Sequence, residues 1–141
     1  MIKPLMLDAT PLAHRYPDPL DLRRLDGLIS ARIPVMIPEV ADFEVRRSLL
    51  LHDLRSSLQE LELLKSRLIY VPISTAAMLR AAEFWADSRR RGQPTADPKE
   101  LDCDAILAAQ ASLLGAVVVT ENVGHLSQYV QTKQWRRLST R

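Results

Sequence analysis

The chain has 141 residues, 47% of them hydrophobic and 26% charged, a balance that fits one globular domain over residues 1–141 and excludes a disordered or low-complexity chain. A net charge of +2 excludes a nucleic-acid coat, and an aromatic content of 5% argues against an extended base-stacking platform. The single cysteine, Cys103, leaves no disulfide framework or thiolate zinc site and reads as a small buried residue. No apolar run approaches the roughly 20 residues of a membrane span, and no leader peptide is evident, so the expected compartment is the cytoplasm, with no membrane partner.

Residues 2–7 are short and mostly apolar and end at Asp8, as a buried strand does. Pro11 opens a short helix, and Asp18-Pro19 opens a second through Ala31 with Leu22, Leu25, Leu28 and Ile29 on one face. Residues 35–37 form a second strand, and Pro38 suits the first turn of a long helix. That helix reaches about Ser56 and continues, bent or broken at Ser56-Ser57, to Ser66. Its stripe of Leu51, Leu54, Leu58 and Leu61 fits core packing, with a dimer seam as the alternative.

Residues 68–71 form a third strand, and Ser74 caps a helix that ends near Arg91-Gly92. Residues 92–98 read as a loop and the most mobile segment. Asp97-Pro98-Lys99-Glu100 resembles a capping box, and the helix after it runs to Leu114, where Gly115 stops it. Residues 116–119 form a fourth strand, and residues 134–136 a fifth at an edge. Alternating strands and helices predict a parallel sheet covered on both faces. Ligands of such sheets bind beyond the carboxyl ends of the strands, at the point where strand order reverses.

Candidate site residues stand at such places. Asp8 follows one buried strand directly, although an Asp there also serves as a turn or cap. Thr120 and Asn122 follow another. Glu44 shares the stripe of Val40, Leu51 and Leu54, where an uncompensated charge is costly. Either an arginine such as Arg47 or a metal ion shared with other carboxylates compensates it. Asp104 shares a face with Leu101, Ala108 and Ala111, whose small side chains let the helix lie close to the sheet. Asp102 lies about 200° around a regular helix from Asp104 and joins it only if the helix begins there. Glu39 and Glu100 read as ordinary first-turn acids. Converging carboxylates raise one another's pKa or hold a cation. Oxygen donors without a Cys or His set select a hard ion, Mg²⁺ or Mn²⁺, which suits phosphoryl chemistry. Three basic clusters, Arg46-Arg47, Arg89-Arg90-Arg91 and Arg136-Arg137, suit a phosphate backbone if they converge and are otherwise solvated helix ends.

Four segments, in order, resemble the PIN-domain family and its VapC-like toxin branch: Leu7-Asp8-Ala9-Thr10-Pro11-Leu12, residues 38–47, residues 101–111, and Val119-Thr120-Glu121-Asn122-Val123-Gly124-His125-Leu126. The resemblance implies a three-layer α/β/α fold with a parallel sheet of four to five strands. It implies Mg²⁺- or Mn²⁺-dependent endonucleolytic cleavage of RNA that leaves 5′-phosphate and 3′-hydroxyl ends. Asp8, Glu44 and Asp104 match the first three family acids, and Asn122 the fourth position, which is Asp or Asn. Thr10 supports the first Asp, Thr120 orients the site, and Arg46, Arg47, Arg89, Arg90 and Arg91 steer RNA. A cognate antitoxin and a homodimer are implied as partners.

The chain departs from the family pattern in places. Ala9-Thr10 replaces the commoner Thr-Asn, Glu44-Val45-Arg46-Arg47 replaces the usual surroundings of the second acid, and Leu126 stands where Phe is frequent. Asn122 is neutral, so one metal rather than two is held firmly before substrate arrives. His125 is expected to be structural rather than a general base. Two other readings remain. A non-catalytic RNA- or protein-binding module keeps the fold alone. A phosphatase of the haloacid dehalogenase type shares the strand followed by Asp-x-Thr, but it needs a Lys and then further acids downstream; after Thr120 only Lys133 and Glu121 remain.

Overall fold

The computed structural model describes residues 2–12, 22–92, 98–121 and 123–138, with the side chains of residues 98–101 and 125 outside that set. The expectations for Asp18-Pro19, for the loop interior and capping Asp97, for Asn122, and for the side chains of Leu101, Glu100 and His125 therefore lie outside the described residues. In chain order the elements are β1 (Leu5–Leu7), α1 (Ala9–Leu12), α2 (Leu22–Ser30), β2 (Val35–Pro38), α3 (Glu39–Leu51), α4 (Arg55–Arg67) and β3 (Ile69–Val71). They continue with α5 (Thr75–Arg90), α6 (Pro98–Leu114), β4 (Val117–Thr120), α7 (Val123–Leu126), β5 (Thr132–Gln134) and a 3-10 turn at Trp135–Arg137.

The five strands pair in the order β3-β2-β1-β4-β5, every pair parallel. Leu5 stands opposite both Val35 and Val117, so the central strand is held in register from both sides. Neighbouring residues of a strand point to opposite faces, and Met6, Leu7, Val118 and Val119 all have no exposed surface. Both faces are therefore covered, which gives the three-layer α/β/α architecture and explains why these strands are continuous apolar runs. The chain moves outward from β1 to β3, then crosses back to β4 on the other side of β1. The reversal of strand order falls between β1 and β4.

Helix ends explain where the sequence reading slipped. The long helix breaks at His52–Leu54, not at Ser56-Ser57. Leu54 N–H donates to Leu49 C=O (2.9 Å) and Asp53 N–H to Leu50 C=O (3.2 Å), with Asp53 left-handed at φ 52°. This is a Schellman ending built without glycine. Arg32, at φ 60°, closes α2 in the same way through Ile33 and Leu28. Gly115, at φ 62°, does so for α6, as its residue type suggests. Pro38 is the last residue of β2 and caps α3 from outside rather than lying in its first turn. Ser74 caps α5 as expected, its hydroxyl accepting Ala77 N–H at 3.1 Å.

The leucine stripe divides. Leu61 is buried and Leu54 and Leu58 pack on the core, whereas Leu51 is 80% exposed. On α2, Leu25 and Leu28 are fully buried while Leu22 and Ile29 face outward. On α6, Ala105 and Ala109 pack with Ala77 and Ala81 of α5, small residues that let the two helices approach closely. Gln110 of α6 is buried and donates to the Val71 and Pro72 carbonyls, tying the helix to the end of β3. Among the described residues, no helix is long and apolar enough to cross a membrane.

Candidate active site

The reversal between β1 and β4 brings the residues after both strands together. Asp8 leaves β1 with its N–H donating to Val119 C=O at 2.9 Å, so its backbone is fixed by the neighbouring strand. Its carboxylate is nearly closed to solvent. Oδ1 accepts the Ala9 N–H at 2.7 Å, and Oδ2 accepts the Thr120 hydroxyl at 2.7 Å and the Thr10 hydroxyl at 3.4 Å. The two threonine hydroxyls lie 3.3 Å apart, and Thr10 Oγ1 also accepts the Glu121 N–H at 3.1 Å. The hydroxyls of Thr10 and Thr120 thus fix the rotamer and orientation of Asp8.

Burial pushes the Asp8 carboxyl above its ordinary value, and the bonds from Thr120, Ala9 and Thr10 work against that rise. Desolvation wins, so its three donors do not fully offset the cost of a charge there. An oxygen anion in that condition suits a hard cation. The donor chemistry fits.

Glu44 and Asp104 arrive on different helices. α3 follows β2 directly and packs against both α1, which begins next to Asp8, and α6. Both acids are half-buried, and the alanines around Asp104 on α6 are fully buried as the helical face requires. Their charges meet at Cys103, whose thiol is pushed up to about 11 by burial first and then by Glu44, with Arg47 opposing and Asp104 and Asp102 adding. Glu44, Asp102, Asp104 and Arg47 therefore share one neighbourhood at the α3–α6 contact. Among the described residues, no three acidic, histidine or cysteine side chains form a group tight enough to hold a metal ion. Asn122 lies outside the described set.

The arginines separate into two kinds. Arg46 is engaged with Asp42 at 3.0 Å and with Glu62, and buried Asp42 also takes Lys65 at 3.2 Å. Arg47 lies over the exposed ring of Phe43, 5.1 Å from its centroid. Arg89, Arg90 and Arg91 are exposed at the end of α5, where Arg90 meets Asp87 at 3.1 Å and Arg89 lies over Trp85. Two acids matter more than the sequence suggested. Glu39 accepts the Tyr70 hydroxyl at 3.1 Å and Ile73 N–H at 2.8 Å, which fixes the start of α3. Glu121 holds Thr10 through its backbone and meets Arg136 at 3.5 Å. Its place directly after Thr120 was the available signal.

A parallel α/β sheet with a buried acid at the point of strand reversal defines a class of α/β domains that bind ligands at their strand ends. The PIN domain family model matches residues 6–129, and the chain belongs to that family. Its fold is shared with VapBC2 from Rickettsia felis bound to a DNA fragment from their promoter (TM-score 0.74, 17% identity, 96% of this chain and 99% of that one). It is likewise similar to DNA-bound VapBC from Salmonella typhimurium (0.71, 21%, 96% and 99%) and to a toxin–antitoxin complex from Klebsiella pneumoniae (0.60, 18%, 92% and 96%). No curated protein matches the chain in sequence.

Proposed function

We propose that this chain is a divalent-metal-dependent endoribonuclease and the toxin of a toxin–antitoxin pair. The observation that carries the reading is Asp8: a buried, incompletely supported carboxylate at the strand reversal, oriented by Thr120 and Thr10. Family membership and the likeness to VapBC complexes support it. Asp8, Glu44 and Asp104 are the residues to hold Mg²⁺ or Mn²⁺, with Asn122 as a further ligand; α6 already begins at Pro98, so Asp102 is turned away from Asp104 and does not join them. When bound, such an ion supplies Lewis acidity for phosphodiester hydrolysis.

The chain's own residues prepare the site. Thr120 and Ala9 fix one oxygen each of Asp8, so the carboxylate meets its ligand without reorganising. The closed strand ends keep bulk water from that carboxylate. Arg47 and the arginines ending α5 are the cations to attract the RNA backbone. A small antitoxin protein is the expected partner, covering the acids. A homodimer and a cytoplasmic location complete the reading.

The test is cleavage of structured RNAs with Mn²⁺ by the purified chain and by Asp8→Asn. Cleavage by the parent that Asp8→Asn abolishes is the expected result. Equal cleavage by both, or by neither across several RNAs, overturns the proposal and leaves a non-catalytic binding module.

A further inference from the structure

The second half of α5 is pinned beside the turn that follows α7. Ser88, fully buried, donates its hydroxyl to Gln128 Oε1 at 3.2 Å. Phe84 stacks on Tyr129 with ring centroids 5.2 Å apart. Gln128 and Tyr129 directly follow α7, the element after Thr120 and Asn122. The end of α5 therefore has a fixed place beside the turn after α7.

That end carries an unusual pair. Trp85 is 38% exposed, and the Arg89 guanidinium one turn later lies over its ring, 4.9 Å from the centroid. Arg90 and Arg91 follow at once, and Asp87 offsets part of their charge. An indole with an arginine plane over it, beside two further arginines, matches unpaired nucleotides: bases stack on aromatic faces and guanidinium planes, and phosphates meet arginines. The low aromatic content argued against an extended platform, but one stacking position needs a single exposed ring.

Resting on the ribonuclease reading, we infer that Trp85 and Arg89 form a stacking subsite for one unpaired base of single-stranded RNA. Arg90 and Arg91 take the adjoining phosphates of a strand lying across the end of α5. Charge complementarity favours RNA over a second copy of the chain, because the exposed ring lies at the basic end of the helix.

The molecule supplies its own probe. Of its two tryptophans, Trp135 is 1% exposed, so an added ligand reaches Trp85. The experiment titrates the Asp8→Asn chain with an eight-nucleotide oligouridylate in Mg²⁺, with an abasic ribose-phosphate oligomer of equal length as the control. Intrinsic fluorescence and anisotropy of labelled RNA are both read. Oligouridylate is expected to quench the indole, and the abasic oligomer is not. Trp85→Leu is expected to weaken RNA affinity roughly 5- to 150-fold, the equivalent of about 1–3 kcal/mol for one stacked base. Trp85→Phe restores part of it, and Arg91→Gln reduces the salt slope by about one contact. Circular dichroism checks that each variant is folded. Equal affinity of folded Trp85→Leu and its parent, equal binding of abasic and base-bearing oligomers, or a fluorescence change that follows protein concentration instead of RNA overturns the subsite; the last result means that a second copy covers the ring. Asp8-dependent cleavage with a silent Trp85 overturns the subsite alone. Trp85-dependent binding with no cleavage by the parent overturns the nuclease reading alone. No RNA binding at all overturns both.

Discussion

Thr120→Val removes one hydroxyl and nearly no volume, and it isolates the strongest bond to Asp8. The hydroxyl donates to Oδ2 at 2.7 Å in a site nearly closed to water, and among the described residues the only other side-chain donor to Asp8, Thr10, is 3.4 Å away. A hydrogen bond to a charged group contributes about 1.5–3 kcal/mol, so a loss of that size is expected where Asp8 is ionised. For a chain of this length it lowers Tm by roughly 4–10 °C. The pH dependence is the sharper test. Burial holds the folded pKa of Asp8 above 3.8, and Thr120 is the first of the bonds that oppose the rise. The valine variant therefore has a still higher folded pKa. Its deficit is full above that pKa, where Asp8 is charged in both proteins, and shrinks as pH falls through the window between the two folded values. Urea unfolding of both proteins over an acid series measures the gap, and Thr120→Ser should recover most of it. A deficit that stays constant across pH means that Thr120 acts by packing alone and refutes the reasoning.

Asp42 is nearly buried between Lys65 and Arg46, so Asp42→Ala removes the buried one of the two anions they share and leaves them exposed Glu62. The expected loss is about 2 kcal/mol by urea unfolding, below the range for a fully buried pair because Arg46 is partly solvated. Arg32→Gly relieves a left-handed non-glycine residue at φ 60° and is expected to raise stability by roughly 0.5–1 kcal/mol in the same assay. Cys103, with its thiol pushed up to about 11 by burial and neighbouring acids, carries a thiolate fraction of roughly one in a thousand at pH 8. It should resist alkylation in the native chain and react on unfolding.

The sheet was legible because burial on both faces writes apolar runs into the sequence. Val117–Thr120 and Val35–Pro38 stand within a residue or so of their expected bounds. The helix endings at Arg32 and Asp53 were not, because a left-handed residue that is not glycine leaves no local signal. Nor did the sequence separate Arg46 from Arg47. They are adjacent, yet one faces Asp42 and Glu62 and the other lies over Phe43, a difference set by how α4 folds back on α3. That Asp8 and Thr120 stand at strand carboxyl ends could be read, Asp8 just after β1 and Thr120 closing β4. The clamp of Thr10 by the Glu121 backbone could not, since it depends on the register of β1 against β4.

Asp8 is where stability and function oppose each other. Its folded pKa is raised, so the group favours folding most when protonated, below 3.8, and that contribution is lost as pH rises through the folded pKa. Above that folded pKa the metal-free chain thus carries an ionised group it would rather protonate. A divalent ion at the carboxylate reverses the balance, and an ion that binds only the folded state stabilises it by about 2.7 kcal/mol at a hundredfold excess over Kd. Mn²⁺ should therefore raise the Tm of the parent, and EDTA should return it. Asp8→Asn removes the desolvated charge but also turns one acceptor into an NH₂ that faces a donor. These two effects oppose, so its metal-free Tm should stay near that of the parent while the Mn²⁺ increment disappears. An equal Mn²⁺ shift in both proteins would place the ion elsewhere and detach the buried carboxylate from the chemistry.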